Sequence, residues 1–301
     1  MTPPALLPRS IAAIVLALLA CTFAANHIAA RIAFDNETGL LLAILCRSAV
    51  PVLCLTALLA WRRERFSLPA GVWPWQLLFG TLIAIQSYCI YSAIVRIPVA
   101  LALLVVNIFP LLLALLTWAL GGAAPTPRTL RIMLVILFGL GMALDVPARL
   151  AGADDGVAWG AGIAYSLVAA GVFAVALWVV NNRLASVHGP VRSLTAMLTV
   201  FGYASLAGAT GLVPGGLSLP AAPAGWWALG CLALLYGSAF SLLFVWVNRL
   251  DMPRNAPVMN VEPVAGLVFG WVILGQQLGP LQVAGALVVV GGIILLTSKA
   301  A

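Results

Sequence analysis

The chain has 301 residues, of which 63% are hydrophobic and only 8% charged, with a mean hydropathy of +1.13. A soluble domain needs about 25% charged residues to cover its surface, so hydrocarbon must replace water around most of this one. The formal net charge of +7 does not point to nucleic acid, because the basic side chains are scattered at the ends of apolar runs.

About 20 apolar residues cross a hydrocarbon core of about 30 Å, and ten such runs follow one another. Ile11–Ala30 comes first and carries Asn26 and His27 near its end. With Arg9 before it and Leu18-Leu19-Ala20-Cys21 inside it, this run mimics a cleavable lipoprotein signal. Cleavage would put the termini on opposite sides of the membrane, against the charge pattern described below, so the run is read as a spanning helix. Leu40–Ala60 carries Arg47, Trp75–Val95 carries Gln86 and Tyr91, and Pro98–Leu120 carries Asn107 and Pro110. Leu130–Val146 closes the first half. Val157–Val180 then carries Trp178, Leu194–Val213 carries Tyr203, and Trp226–Val247 carries Tyr236 and Trp246. Ala256–Leu274 carries Asn260, Glu262 and Pro263, and Leu281–Thr297 comes last. Backbone groups cannot stay unpaired in lipid, so these runs are helices. They are continuously apolar, which excludes the alternation of a β-barrel. The expected fold is an all-α membrane protein of ten transmembrane helices.

The distribution of basic residues sets an orientation. With a cytoplasmic N-terminus, Arg9, Arg62, Arg63, Arg65, Arg128, Arg131, Arg183, Arg192, Arg249, Arg254 and Lys299 fall inside. Arg31, Arg96 and Arg149 fall outside, beside Asp35, Glu37, Asp154 and Asp155. Both termini are therefore expected in the cytoplasm, with an even number of helices. Cys21, Cys46, Cys54, Cys89 and Cys231 all lie within apolar runs at no metal-like spacing, and read as small buried hydrophobes.

A repeat emerges when Arg96–Met142 is laid on Arg249–Leu295 without gaps. Arg96 falls on Arg249, Val105 on Val258, Asn107 on Asn260, Pro110 on Pro263, Trp118 on Trp271, Gly122 on Gly275, Pro127 on Pro280 and Gly139 on Gly292. Residues 1–150 and 151–301 are thus expected to be two five-helix repeats. An odd number of helices per repeat inserts the second copy upside down, the architecture in which alternating access to a central site is common.

The stretch from Pro253-Arg254-Asn255-Ala256-Pro257-Val258-Met259-Asn260-Val261-Glu262-Pro263-Val264 leads to Trp271-Val272-Ile273-Leu274-Gly275-Gln276-Gln277-Leu278-Gly279-Pro280-Leu281-Gln282, then to Gly285 and Gly291-Gly292. It resembles the fourth and fifth helices of an EamA repeat in the drug/metabolite transporter superfamily. Asn107, Pro110, Trp118 and Gly122 carry the same resemblance in the first half, and Arg47 matches the family pattern in the second helix. Such proteins usually have an acidic residue after Leu-Gly; Gln276 and Ala123 stand there instead. The resemblance implies a secondary transporter of the inner membrane that exports amino acids or related small zwitterionic compounds. Uptake of a vitamin or nucleoside-like solute is the alternative it leaves open.

Ionisable groups inside a membrane are expensive and usually functional. Arg47 and Glu262 are the two that stand well inside apolar runs, and Glu262 falls on Phe109 in the repeat. At about 1.5 Å per residue they are expected about 8–9 Å apart along the membrane normal, too far for a direct salt bridge. Arg47 either attracts a substrate carboxylate or bonds carbonyls of neighbouring helices. Glu262 either meets a substrate amine or stays protonated as packing, and it is the candidate for a coupled proton. Pro110 and Pro263 lack an amide hydrogen and are expected to kink their helices, freeing the carbonyls of Val106 and Met259. Asn107 and Asn260 then either stabilise the kink or face the substrate. Gln86, Tyr91, Trp178, Tyr203, Tyr236 and Trp246 complete the candidate substrate-binding set, while Asn26 and His27, near the outer end of their helix, are candidates for gating. Gly80, Gly171, Gly202 and Gly237 are expected where helices approach closely.

Nucleophilic catalysis needs a base beside its nucleophile, and the chain has only two histidines, His27 and His188. It contains no metal-ligand cluster, HExxH helix or P-loop, so neither an enzyme nor a cofactor is expected. Its loops are short, the longest near Val213–Gly225, which disfavours a receptor or scaffold. The expected partners are a small-molecule substrate and the lipid bilayer, with the chain a monomer or small homo-oligomer.

Overall fold

Apolar runs separated by Gly, Pro and charged residues become helices because only intrahelical hydrogen bonds satisfy the backbone away from water. The computed structural model describes residues 7–63, 66–69, 71–122, 124–144, 156–246, 249–250, 258–259 and 261–297. Among the described residues the regular structure is helical: α1 Arg9–Asp35, α2 Leu40–Trp61, α3 Trp73–Arg96, α4 Val99–Val106, α5 Phe109–Ala119 and α6 Pro127–Ala143. The second half supplies α7 Gly156–Arg183, α8 Gly189–Thr210, α9 Pro223–Trp246, α10 Val261–Leu274 and α11 Pro280–Thr297. Seven spans, with α4 and α5 counted as one, are long and apolar enough to cross a membrane. Among the described residues, with α4 and α5 counted as one, there are ten helical bodies, of which α6, α10 and α11 fall short of the seven candidate spans in length. This is an integral membrane protein. Side chains such as Leu134, Phe138, Trp271 and Val272 stand exposed on the outer surface of the bundle, a distribution that suits lipid and not water.

Prolines start helices here. Pro74, Pro110, Pro127 and Pro190 each occupy the first two positions of α3, α5, α6 and α8, where a missing amide hydrogen removes nothing. Just before Pro110 the helical run is interrupted for two residues, Asn107 and Ile108. α4 ends at Val106 and α5 begins at Phe109. Pro263 likewise lies in the first turn of α10, whose preceding residues 251–257 and 260 fall outside the described ones.

The two halves interleave. α1 packs on α9, and α7 on α3; α2 packs on α9, and α8 on α3; α1 packs on α10, and α7 on α4 and α5. α2 also packs on α8, and α6 on α11. The last pair meets through glycine: a Cβ on Gly139 would come 2.7 Å from Val288 Cγ1, and one on Gly292 would come 2.5 Å from Ile136 Cγ1. Gly80 and Gly237 also sit at tight crossings, against Thr199 and Val50, whereas Gly171 and Gly202 face open space and do not serve the close approach expected of them. All five cysteines are free; Cys54 and Cys231 are exposed on the bundle surface, contrary to the expectation of burial. The loop after α8 is pinned to the α1–α2 connection, with Gly39 N donating to Ser218 O and Ala221 N donating to Asn36 O.

Candidate functional site

Helices from both halves bring polar side chains to one buried place. Along α1, Phe23, Asn26, His27 and Phe34 recur at i, i+3, i+4 and i+11, so they share one face. That face looks onto Arg47 of α2, Tyr91 of α3, Tyr236 of α9 and Glu262 of α10 through the contacts below.

Arg47 is 4% exposed. Its guanidinium carbon lies 3.9 Å from the centroid of the Tyr236 ring and 5.0 Å from that of Tyr91. One ring comes from each half of the chain. A desolvated cation on an aromatic face gains about 2 kcal/mol, so two ring faces do part of the work that a carboxylate would otherwise do. Among the described residues, no carboxylate lies within ion-pair distance of Arg47. The rings are themselves held. Phe34 and His27 meet Tyr91 edge-on, with centroids 5.4 and 6.2 Å away. Phe23 meets the edge of Tyr236 at 5.9 Å, while Phe240 stacks on it at 5.5 Å.

Asn26 Nδ2 donates to the Leu232 carbonyl at 2.8 Å, tying α1 to α9. His27 Nε2 lies 3.6 Å from Glu262 Oε1, tying α1 to α10. His27 is thus a member of this cluster, eight residues before the end of α1, and not a group near the helix end as expected. Four buried polar atoms of the cluster have no hydrogen-bond partner among the described residues: Asn26 Oδ1, His27 Nδ1, Arg47 Nη1 and Tyr91 Oη. An unsatisfied buried group costs about 1–3 kcal/mol. Together the four atoms leave donors on Arg47 and Tyr91 and an acceptor on Asn26 close to one another and without partners among the described residues. Contacts run in series from Glu262 through His27 and Tyr91 to Arg47, so the two intramembrane charges share one cluster without pairing directly.

The remaining candidates fall elsewhere. The Asn107 side-chain amide donates to the Leu103 carbonyl at 2.9 Å, which secures the end of α4; Val106 is not the carbonyl it serves. Trp178 packs in a separate apolar cluster with Leu82, Val179 and Leu184. Tyr203 is 40% exposed; its hydroxyl lies 3.1 Å from Thr81 Oγ1 in an apolar cleft of about 370 Å³ among α2, α3 and α8. Gln86 is half-buried and stands five residues from Tyr91, about 140° around α3. Trp246 ends α9, but its side chain lies outside the described ones, as does Asn260 altogether. Phe23 and Phe34 were not singled out from sequence, although their helical spacing with His27 was the available signal. Gln276 was singled out only as a departure from a family pattern. Its Oε1 accepts from Val99 N at 3.1 Å, so a loop of the second half caps α4 of the first. Among the described residues, no three His, Cys, Asp or Glu side chains gather in a metal-like group.

The comparisons bear on the second half above all. Among curated proteins none matches the chain. A solved structure described as "Crystal structure of protein" aligns over 95% of this chain and 96% of its own length, with a TM-score of 0.61 and 20% identity, a likeness of fold alone. The model of the EamA-like transporter family matches residues 162–298. That stretch, just under half of the chain, contains Tyr236, Glu262 and the Pro253–Gln282 signature, and over it the chain is similar to the EamA-like transporter family.

Proposed function

We propose that this protein is a secondary transporter that carries amino acids or similar small zwitterions out of a bacterial cytoplasm across the inner membrane, by alternating access. Residues 1–150 and 151–301 are the two repeats, inverted with respect to each other, with both termini in the cytoplasm. The mirrored packing of α1 on α9 with α7 on α3, and of α2 on α9 with α8 on α3, supports that symmetry. So does the helix register: α6 starts at Pro127 and α11 at Pro280, the same pair that the sequence repeat aligned.

One observation carries the reading. Arg47 is a buried cation with no carboxylate partner among the described residues and an unpartnered Nη1, gripped by one tyrosine from each half. A substrate carboxylate supplies the missing charge, because a charge-assisted hydrogen bond is about twice as strong as a neutral one. Glu262, at the far end of the same contact chain, supplies a negative end for the substrate's ammonium group. Binding from either compartment then requires the helices around Tyr91 and Tyr236 to part in alternation.

The test is flux in lipid vesicles containing the purified protein, with labelled amino acids set against their methyl esters and their decarboxylated amines. Saturable flux of the acids alone supports the reading. Equal flux of the amines removes Arg47 from substrate recognition. Flux in inside-out against right-side-out vesicles reports direction.

A further inference from the structure

We infer that the apolar cleft among α2, α3 and α8 is the side-chain half of the Arg47 site, so that the zwitterions taken are those with a large, uncharged, apolar side chain. The inference rests on the transport reading above and narrows its substrate class.

The cleft adjoins the Arg47 cluster on two helices. Leu41 and Ile44 of α2 line it, and Arg47 stands three residues beyond Ile44. Ala84 and Tyr88 of α3 line it, and Tyr91 stands three residues beyond Tyr88. Residues three apart on a helix are neighbours on its surface, about 5–6 Å apart at Cβ. An amino acid separates its carboxylate from the body of its side chain over a comparable reach. Packing joins the two places as well: Ile44, Val200 and Ala204 belong to the same cluster as Tyr91 and Tyr236, with Tyr88 packed against it.

The cleft faces the interior of the bundle. Along α8, Val200 and Ala204 line it and are buried, whereas Leu198 and Leu206, on the opposite side of the helix, are exposed. On α2, Leu41 and Ile44 are buried too. Its exposed rim is Ile85 of α3 and Tyr203 of α8. Like the Arg47 site, the cleft takes walls from both halves of the chain.

Size and chemistry define the occupant. The cleft offers about 370 Å³, more than twice the cavity of about 150 Å³ that admits a benzene ring in a protein core. Its α8 wall runs from Val200 to Ala207, about 10 Å of helix. Among the described residues no charged side chain lines it, so a second charge on the ligand loses its water and gains no partner. The Thr81 hydroxyl, at the start of the α3 wall, meets the Tyr203 hydroxyl at 3.1 Å. Thr81 gives its own hydrogen to the Leu77 carbonyl at 2.8 Å, so Tyr203 is the donor to Thr81 and both hydrogens are spent within the protein. Tyr88 is held in the wall by Tyr165 of α7, edge-on at 6.3 Å, and the Arg96 guanidinium lies 5.0 Å from the Tyr165 ring. Water gains little from such walls. A carbon chain gains about fourfold in affinity for each methylene it buries.

The experiment measures calorimetric binding of amino acids to the full chain in lipid nanodiscs, beside flux of the same compounds in vesicles. The series is alanine, 2-aminobutyrate, norvaline, norleucine and phenylalanine, with aspartate and glutamate as charged controls. Affinity should rise about 60-fold from alanine to norleucine, three methylenes at about fourfold each. Phenylalanine should bind far better than alanine, and neither acidic control better than alanine. Ala207→Leu and, separately, Ala84→Leu fill the cleft and should lower the norleucine-to-alanine ratio about tenfold or more, with thermal unfolding showing that each variant is folded. Equal affinities along the wild-type series overturn the inference. So does an unchanged ranking in a folded cleft-filling variant, which leaves the cleft to a lipid acyl chain. Graded binding without saturable flux removes the transport reading and leaves the cleft assignment standing; saturable flux without grading does the reverse. Absence of both binding and flux overturns both.

Discussion

Replacing Arg47 by methionine separates a binding role from a packing role, because the two predict opposite costs. An arginine near the middle of a spanning helix costs about 2.5–3.5 kcal/mol on insertion scales. The Tyr236 ring at 3.9 Å and the Tyr91 ring at 5.0 Å return about 1–2 kcal/mol each. The two sums nearly cancel, and a methionine in the same slot keeps a favourable sulfur–ring contact of about 0.3–1.5 kcal/mol. Arg47→Met should therefore leave the unfolding free energy within about 1.5 kcal/mol of wild type by this arithmetic. Transport should suffer far more. A hydrogen bond to a charged group is worth about 1.5–3 kcal/mol, so the half-saturating amino-acid concentration should rise about 10- to 150-fold. Tryptophan fluorescence on heating in detergent reports the first quantity, and initial-rate uptake into vesicles the second. A variant that unfolds far below wild type, while its folded fraction transports with unchanged saturation, would show that Arg47 braces the bundle and that the carboxylate assignment is mistaken.

Three further outcomes follow from named contacts. Tyr91→Phe removes a buried hydroxyl with no partner among the described residues, so unfolding should stay the same or move slightly upward. Substrate affinity measured by calorimetry should fall about threefold to tenfold, the loss of one neutral hydrogen bond; unchanged affinity takes Tyr91 out of the site. Gly285→Val places a side chain on the backbone of Ala143 and Gly139, and such overpacking costs about 1–3 kcal/mol or more; an unshifted melting temperature would mean that α6 and α11 do not rely on that crossing. Gln276→Ala leaves Val99 N without its acceptor and should cost about 0.5–2 kcal/mol. Gln276→Glu keeps the acceptor and places a negative charge at the start of α4, worth about 0.3–1 kcal/mol. The expected order of unfolding midpoints is Glu at or above Gln, with Ala lowest, and any other order refutes the cap.

The helices were legible because a 20-residue apolar run is a strong signal and the repeat fixed its own landmarks. Pro110 pointed to the two-residue interruption between α4 and α5. Contacts between helices were less legible, since they depend on how each helix is rotated and how deep it sits. The expected separation of Arg47 and Glu262 treated both runs as centred in the bilayer. Glu262 instead lies in the first turn of a short α10, and His27, taken for a group near the helix end, bridges the gap. Aromatic side chains carry no sequence signal that separates a site from packing. Tyr91 and Tyr236 join the Arg47 cluster, whereas Trp178 packs in a separate apolar cluster and Tyr203 lines a cleft. The Gln276 cap on α4 joins residues 177 apart in sequence, and no local pattern announces it.

The asymmetry of the cluster is the feature with most consequence for direction. On the alternating-access reading proposed above, a ligand moves the balance between the two facing states only through its differential contacts. Here those contacts are unequal. Asn26, His27, Arg47 and Tyr91 come from the first half, and Tyr236 and Glu262 from the second. On the transport reading proposed above, Arg47 is the fixed cation that sets what is carried, and its unequal neighbours in the two halves set how differently the two facing states bind it.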